Sequence, residues 1–288
     1  MTSAPDEIDE QLLKHCIQIY TEVITKAYEQ RIKDVKKRAG AMERDTWRYE
    51  QLPKDLAGKR PLSITELERL VQWKITHGPS RPFLPAMIRK NDGKAVLEAT
   101  EATAKSLASM PSNPTMSQAL DVTLSAMNTI SKLSGVGPAT ASLVLAVYSP
   151  RIPFFQDELW AWLFPEKAGG KLKYDRKEYE MLFRKCWEVR ERAGKGVDMV
   201  ALEKASFVLQ HIDLVPENHL GPLTREGKTE KDTGLKNASK QLDEKIQPDK
   251  SHVTGSSKAH NKRTAPKVGA AQESTPDEGT RRSKRSKK

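Results

Sequence analysis

Residues 133–157, LSGVGPATASLVLAVYSPRIPFFQD, decide the expected fold. Gly135 can take the left-handed conformation that ends many helices, and Gly137 lets a second backbone approach without a Cβ atom in the way. Pro138 suits the first turn of a helix, because its missing N–H would have no partner there. The stretch therefore predicts two helices joined by a tight hairpin. Its free amides lie at the N-terminus of the second helix, which attracts anions such as phosphate.

The hairpin resembles the helix-hairpin-helix motif of DNA repair proteins. An apolar helix, the pattern L-x-G-V-G-x-x-T-A and a second apolar helix carry the likeness, with matches at Leu133, Gly135, Val136, Gly137, Thr140 and Ala141. In that family the hairpin amides hold DNA phosphates without reading sequence, so the resemblance implies a partner of double-stranded DNA. It also places a monovalent cation at the backbone of Leu133 and Gly135. The alternative is a plain turn between helices.

Asp157 stands where base-excision glycosylases of this superfamily carry an acid, after the second hairpin helix and a proline-containing loop. Such a carboxylate stabilises oxocarbenium character at the sugar or orients a water, while a pocket grips the extruded base. The resemblance thus implies Asp157 as the catalytic residue. The alternative is a helix N-cap ahead of ELWAWL, and FQDE departs from the family's usual Asp-Thr-His.

Ala139 occupies the position at which some of these glycosylases carry a lysine that attacks the sugar. The resemblance therefore implies that an active enzyme would hydrolyse the glycosidic bond without cleaving the strand. The chain also lacks the four-cysteine iron–sulfur segment of some relatives, and no other cofactor is expected. Its two cysteines, Cys16 and Cys186, lie in apolar helical patterns and are expected to be buried thiols.

Aromatic and basic residues supply further site candidates. Phe154, Phe155 and Trp160 lie close to Asp157 in sequence and could stack on a flipped base, although aromatics in this setting are commonly core residues. Lys74 and Arg81 could contact phosphates opposite the hairpin, or could simply face solvent.

Helical periodicity and capping residues predict an all-α fold of about eight helices. The segments are a long helix within 8–35, a helix opened by a Ser63–Glu66 capping box, and helices over 94–107, 115–135, 175–193 and 198–212. Residues 44–61 show no sustained period and are expected to form an irregular connector. The predicted divisions are an N-terminal helix at 1–44 packed on the domain, a helix-hairpin-helix domain at 45–215 and a tail at 216–288.

The tail is expected to be disordered and basic. Residues 216–288 contain no Phe, Trp or Tyr, and seventeen Lys or Arg oppose ten Asp or Glu, so most of the formal net charge of +11 lies there. A basic chain is drawn to polyanions. The final TRRSKRSKK is typical of nuclear import signals. The sequence contains no run of eighteen apolar residues, so no membrane-spanning segment is predicted.

Residues 45–213 also resemble the divergent eukaryotic Amun-like group of this glycosylase superfamily. The likeness runs from YEQLP at 49–53 through Val71, Trp73 and Arg81 to the hairpin. That group implies a nuclear protein whose glycosylase activity is not assured. Two functions therefore stay open, a monofunctional base-excision glycosylase and an inactive DNA-binding or adaptor module with protein partners in chromatin or transcription.

Overall fold

The structure, a computed structural model, describes residues 2–57, 60–194 and 196–224. Across these ranges the regular secondary structure is helical, and β-pairing is confined to one isolated antiparallel bridge between Thr2 and Thr224. The predicted all-α class is confirmed. The C-terminal basic cluster at 280–288 and the rest of the chain after residue 224 lie outside the described residues.

Twelve α-helices occur in the described part of the chain, together with short 3-10 turns. They are α1 (Glu10–Arg31), α2 (Val35–Thr46), α3 (Leu52–Asp55), α4 (Ile64–His77), α5 (Leu84–Ile88), α6 (Gly93–Ala108), α7 (Met116–Ile130), α8 (Pro138–Tyr148), α9 (Asp157–Leu163), α10 (Arg176–Ala193), α11 (Met199–Gln210) and α12 (Glu217–Leu223).

Several helix starts follow the local signals in the sequence. Ser63 and Glu66 form the predicted capping box at α4, with the Ser63 hydroxyl accepting from the Glu66 amide at 3.2 Å. The side chains of Asp175 and Asp198 accept hydrogen bonds from the third backbone amides of α10 and α11, respectively. Each side chain satisfies a backbone donor that the helix itself leaves unpaired, so these boundaries depend on chemistry within one turn.

The long helix α1 lies in the core of the protein. The predicted apolar face is buried, including Leu12, Cys16, Tyr20, Val23 and Ala27. It packs against α11, which is buried over most of its length. α1 and α11, which are far apart in the chain, are therefore held together by apolar contact.

A π-helical turn, Trp47–Gln51, joins α2 to α3. The prediction of an irregular connector here was therefore wrong. A π turn changes the number of residues per turn, so the apolar positions lose the 3.6-residue period on which the prediction relied. The turn directs Trp47 and Arg48 into the core. Pro53 falls in the first turn of α3, where its missing N–H is tolerated.

Residues 217–223, which fall within the predicted tail, form α12. Leu223 is buried, and the Ser3 amide donates to the Leu223 carbonyl at 3.1 Å. The absence of aromatic residues after 215 therefore did not mark the end of the helical part. The remainder of the predicted tail lies outside the described residues.

A buried polar cluster fixes how α2, α4 and α11 meet. Arg48 forms an ion pair with Glu203 at 2.8 Å, and the Tyr49 hydroxyl donates to the same carboxylate at 2.9 Å. Asp45 accepts from Trp73 Nε1 at 2.9 Å and from the Tyr20 hydroxyl at 3.1 Å. These bonds satisfy charges that would be costly if buried alone, and they set the position of α4.

Candidate active site

The predicted hairpin joins α7 to α8. α7 ends at Ile130 rather than at Gly135, and a series of turns leads on to Gly135, which takes the expected left-handed conformation with φ +80°. An added Cβ atom there would lie 3.0 Å from Met87 Cβ and 3.2 Å from Ile88 Cδ1. Gly135 is therefore required both by its backbone angle and by its close packing on α5.

Gly137 has a different role from Gly135. It is the N-cap residue of α8 with φ −85° and ψ −179°, extended values open to any residue, and an added Cβ atom would meet nothing within 4 Å. Pro138 is the first residue of α8, as predicted. The space in front of Gly137 is open, so another backbone can approach the start of α8 closely.

The hairpin presents backbone amides at the start of α8. The amides of Gly135, Gly137, Ala139 and Thr140 donate to no other group among the described residues. Asn91, a residue that the sequence analysis missed, fixes the turn by accepting from the Ser134 amide at 2.7 Å and donating to the Ser134 carbonyl at 3.0 Å. An uncapped helix start with free N–H groups is a suitable anion site.

The side chains of the hairpin serve mainly as anchors. Leu133, Val136 and Thr140 are buried, at 8%, 4% and 4% exposure. Because these side chains are buried, the predicted DNA-binding residues would contact a ligand through their backbone atoms. The Leu133 carbonyl accepts from the Val136 amide at 3.2 Å, and the monovalent cation expected at this backbone stays a prediction.

A cavity of about 260 Å³ lies beside the hairpin, between the C-terminal end of α4, the segment that leads into α5 and the start of α9. It brings together most of the predicted site residues, namely Lys74, Arg81, Gly135, Gly137, Thr140, Phe154, Phe155 and Asp157. The predicted pocket residue Trp160 does not line it. Trp160 is buried and packs against Phe155 and Phe164, with ring centroids 5.8 and 4.5 Å apart.

Asp157 is the first residue of α9 and is not its N-cap. Gln156 occupies the cap position, and no side chain caps the helix. Both oxygens of the Asp157 carboxylate instead lie 2.9 Å from the Tyr174 hydroxyl, which donates to them. The capping interpretation was wrong because α9 begins one residue earlier than the sequence suggested. The carboxylate is thus free to face the cavity.

Burial raises the pKa of the Asp157 carboxyl above its ordinary value. The hydrogen bond from Tyr174 lowers that pKa, nearby Glu158 raises it, and Lys74 and Arg81 lower it. A carboxyl that is partly withdrawn from water and also held by specific partners is typical of functional sites.

Tyr174 was missed by the sequence analysis because no local pattern marks it. Its φ of +53° is unusual for a residue with a side chain. The carboxylate of Glu178 supports this conformation by accepting from the backbone amides of Lys173 and Tyr174, at 3.0 and 2.8 Å. The ring lies 5.5 Å from that of Phe155. A strained residue held on a cavity wall is a reason to assign a function to it.

A buried pair, His77 and Gln156, forms another part of the cavity wall. Their Nε2 atoms are 3.1 Å apart. His77 also stacks on Trp73 with centroids 4.6 Å apart, and the buried Gln156 Oε1 has no partner among the described residues. The wall therefore carries an unused hydrogen-bond acceptor.

A basic groove of about 680 Å³ is lined in part by the segment 74–81, which also lines the cavity. We use "basic groove" for the surface lined by Arg31, Lys36, Lys37, Gly40, Arg44, Thr76 and Ser80 with neighbouring apolar atoms. Arg31 donates to the carbonyls of His77 and Gly78, at 2.7 and 2.8 Å. None of its four cationic side chains forms an ion pair with the residues that the structure describes. The groove therefore carries unneutralised positive charge.

The fold and site define an all-α protein with an acid-containing cavity beside a helical hairpin. Comparison of the chain with protein-family models, curated proteins and solved structures found no match. In the described ranges no helix is long and apolar enough to cross a membrane, and no group of three or more His, Cys, Asp or Glu side chains is placed to hold a metal ion.

Proposed function

We propose that this chain is a nuclear DNA-binding protein of the helix-hairpin-helix glycosylase type that removes a base from DNA. The observation that carries the proposal is that Asp157 and the free amides of the hairpin border one cavity. Base excision needs a carboxylate close to a sugar whose flanking phosphate is held in place. Arg81 on the same cavity adds positive charge for phosphate.

Phosphate contacts would supply most of the affinity for duplex DNA. The unpaired amides of Gly137, Ala139 and Thr140 at the start of α8 are donors for a phosphate, and the open space at Gly137 gives a strand room to approach. The basic groove and the cavity are both lined by residues of the segment 74–81, so a strand that passes the cavity can continue along the groove. Such contacts are indifferent to base sequence and sensitive to salt.

The chemistry assigned to Asp157 is stabilisation of the sugar as the glycosidic bond breaks. An extruded base would enter between Phe154 and Phe155, whose rings border the cavity, while the carboxylate faces the developing positive charge or orients a water. Tyr174 would hold the carboxylate in one orientation through its hydroxyl. The base itself is not assigned.

The test is an excision assay on a panel of damaged and mismatched duplexes, with alkali used to reveal abasic sites. We expect Asp157→Asn to reduce excision at least ~100-fold, the effect of removing a positioned carboxylate, with DNA affinity unchanged within about twofold. Glu101→Gln, a change at an acid of α6 that does not line the cavity, is the control and should retain activity. Binding without excision on every substrate would favour the inactive DNA-binding or adaptor module.

A further inference from the structure

Lys74 and Ala139 face the same cavity from different helices. Ala139 lies on α8, where a lysine would be needed for strand cleavage by the family's usual arrangement, and it offers only a methyl group. Lys74 lies near the end of α4 and reaches the cavity that also contains Asp157. The amine that α8 lacks is therefore supplied by α4.

The Lys74 amine is not committed to a structural contact. It forms no hydrogen bond and no ion pair within 4.0 Å among the residues that the structure describes. Burial lowers its pKa, Asp157 acts in the opposite direction, and Arg81 lowers it further. Desolvation and a neighbouring cation are the two conditions that turn a lysine into a nucleophile at neutral pH.

A purely electrostatic role for Lys74 explains less of this arrangement. A lysine that serves only as a phosphate contact gains from being exposed and fully charged. Lys74 is instead half-buried, inside the cavity that would receive the sugar, with a carboxylate on the same wall. An amine can attack a carbonyl carbon, and a nearby carboxylate can accept a proton, so the two groups together suit a reaction at an aldehyde.

We propose that Lys74 is a catalytic residue that forms an imine with the C1′ aldehyde of an abasic deoxyribose bound in this cavity. The proposal rests on the proposed function, since abasic DNA must reach the cavity. It reverses the expectation, drawn from Ala139, that the protein cannot cleave a strand.

The reaction balances without an oxidant or a reductant. The neutral Lys74 nitrogen forms a bond to C1′, and the aldehyde oxygen takes one proton from the amine and one from solvent and leaves as water, which gives a protonated imine. A base, for which the Asp157 carboxylate is placed in the cavity, takes a proton from C2′. The C3′–O bond then breaks, and the 3′ phosphate leaves with its electron pair. Water adds to the imine and restores the free amine, so the strand is cut on the 3′ side.

The test is borohydride trapping of the full-length protein on a synthetic duplex with a single abasic site. Reduction turns an imine into a stable covalent adduct, and peptide mass analysis locates it. We expect an adduct on Lys74 that falls at least tenfold in Lys74→Met and in Lys74→Arg. The matched control is Lys105→Met, since Lys105 lies on α6 and pairs with Glu101 at 2.8 Å. Its adduct yield should equal that of wild type.

Two results would overturn the proposal, and affinity for the same duplex without borohydride tells them apart. Binding with no adduct, or with an adduct on other lysines that persists in Lys74→Met, would remove Lys74 from the chemistry and leave the proposed function standing. Failure to bind the abasic duplex would overturn both.

Discussion

Asp157 and Tyr174 form the contact around which the candidate site is organised at the scale of single residues. The carboxylate is partly buried at the start of α9, and one hydroxyl reaches both of its oxygens. Burial acts to raise the pKa of this carboxyl, while the hydroxyl, by donating to the charged form, acts to lower it. Tyr174 therefore positions the carboxylate and favours its charged form.

Replacing Tyr174 with Phe should raise the pKa of Asp157. The hydrogen bond that favours the ionised carboxylate is lost while burial stays, so the proton is held more tightly. Titration of the Asp157 side-chain carbon by NMR measures this shift, and the acidic limb of any excision rate profile should move to higher pH. Tyr148→Phe, at a hydroxyl that bonds to the Arg60 carbonyl, is the control. An unchanged Asp157 pKa would contradict the positioning role.

At the scale of elements, the hairpin contains two glycines with separable functions. Gly135 is needed for folding, because its φ is positive and α5 packs on it. Gly137 is needed only where an incoming backbone must come close, because nothing in the protein fills the space next to it. The difference allows binding to be tested without unfolding the hairpin.

Gly135→Ala should destabilise the protein by ~1–3 kcal/mol, from left-handed strain and contact with Met87 and Ile88. Gly137→Ala should cost no more than about 1 kcal/mol and yet should weaken DNA binding on every sequence. Urea denaturation gives the first quantity and fluorescence titration of a labelled duplex gives the second. Equal DNA affinity of Gly137→Ala and wild type would count against the hairpin as the phosphate site.

Elements with strong local signals were predictable. The capping box of α4, the Asp caps of α10 and α11 and the turn at Gly135 follow from interactions within a few residues. The π turn at Trp47–Gln51 was not predictable, because the buried positions of Trp47 and Arg48 are set by α4 and α11 rather than by their own neighbours.

At the scale of the whole molecule, one buried ion pair connects segments that are far apart in the chain. Arg48 and Glu203 are each 1% exposed, and the guanidinium also lies 4.1 Å above the Tyr49 ring. The pair joins the π turn to α11, which packs on α1. Loss of one partner would leave an uncompensated charge at the centre of the fold.

Arg48→Met should therefore destabilise the protein by ~3–5 kcal/mol, the usual cost of breaking a buried pair from one side. The double variant Arg48→Met, Glu203→Leu should recover much of that loss, since no charge is then left unpaired. Urea denaturation of both variants measures the difference. The exposed pair of Glu101 and Lys105 is the control, and Lys105→Met should change stability by less than ~1 kcal/mol. A double variant no more stable than Arg48→Met would argue against the charge explanation.

The basic groove makes a prediction about the extent of the bound DNA. Lys36 and Lys37 lie on α2 and line the basic groove, and neither forms an ion pair within 4.0 Å among the described residues. Changing both to Gln should lower the slope of log affinity against log salt by about 2, roughly one unit for each lost phosphate contact. Lys94→Gln with Lys105→Gln, two lysines of α6 that pair with acids, is the matched control. Equal slopes in both variants would confine the footprint to the cavity.

The sequence by itself determined the all-α class, the starts of α4, α8, α10 and α11 and the conformation of the turn at Gly135, because each depends on hydrogen bonds and steric limits within a few residues. It also identified the elements that border the cavity. Only the tertiary structure decided that Lys74, Asp157 and Tyr174 share this cavity, that Asp157 is held by a hydroxyl instead of capping a helix, and that Trp160 lies in the core. These relations depend on packing between segments that are distant in the chain, and no local pattern encodes such packing.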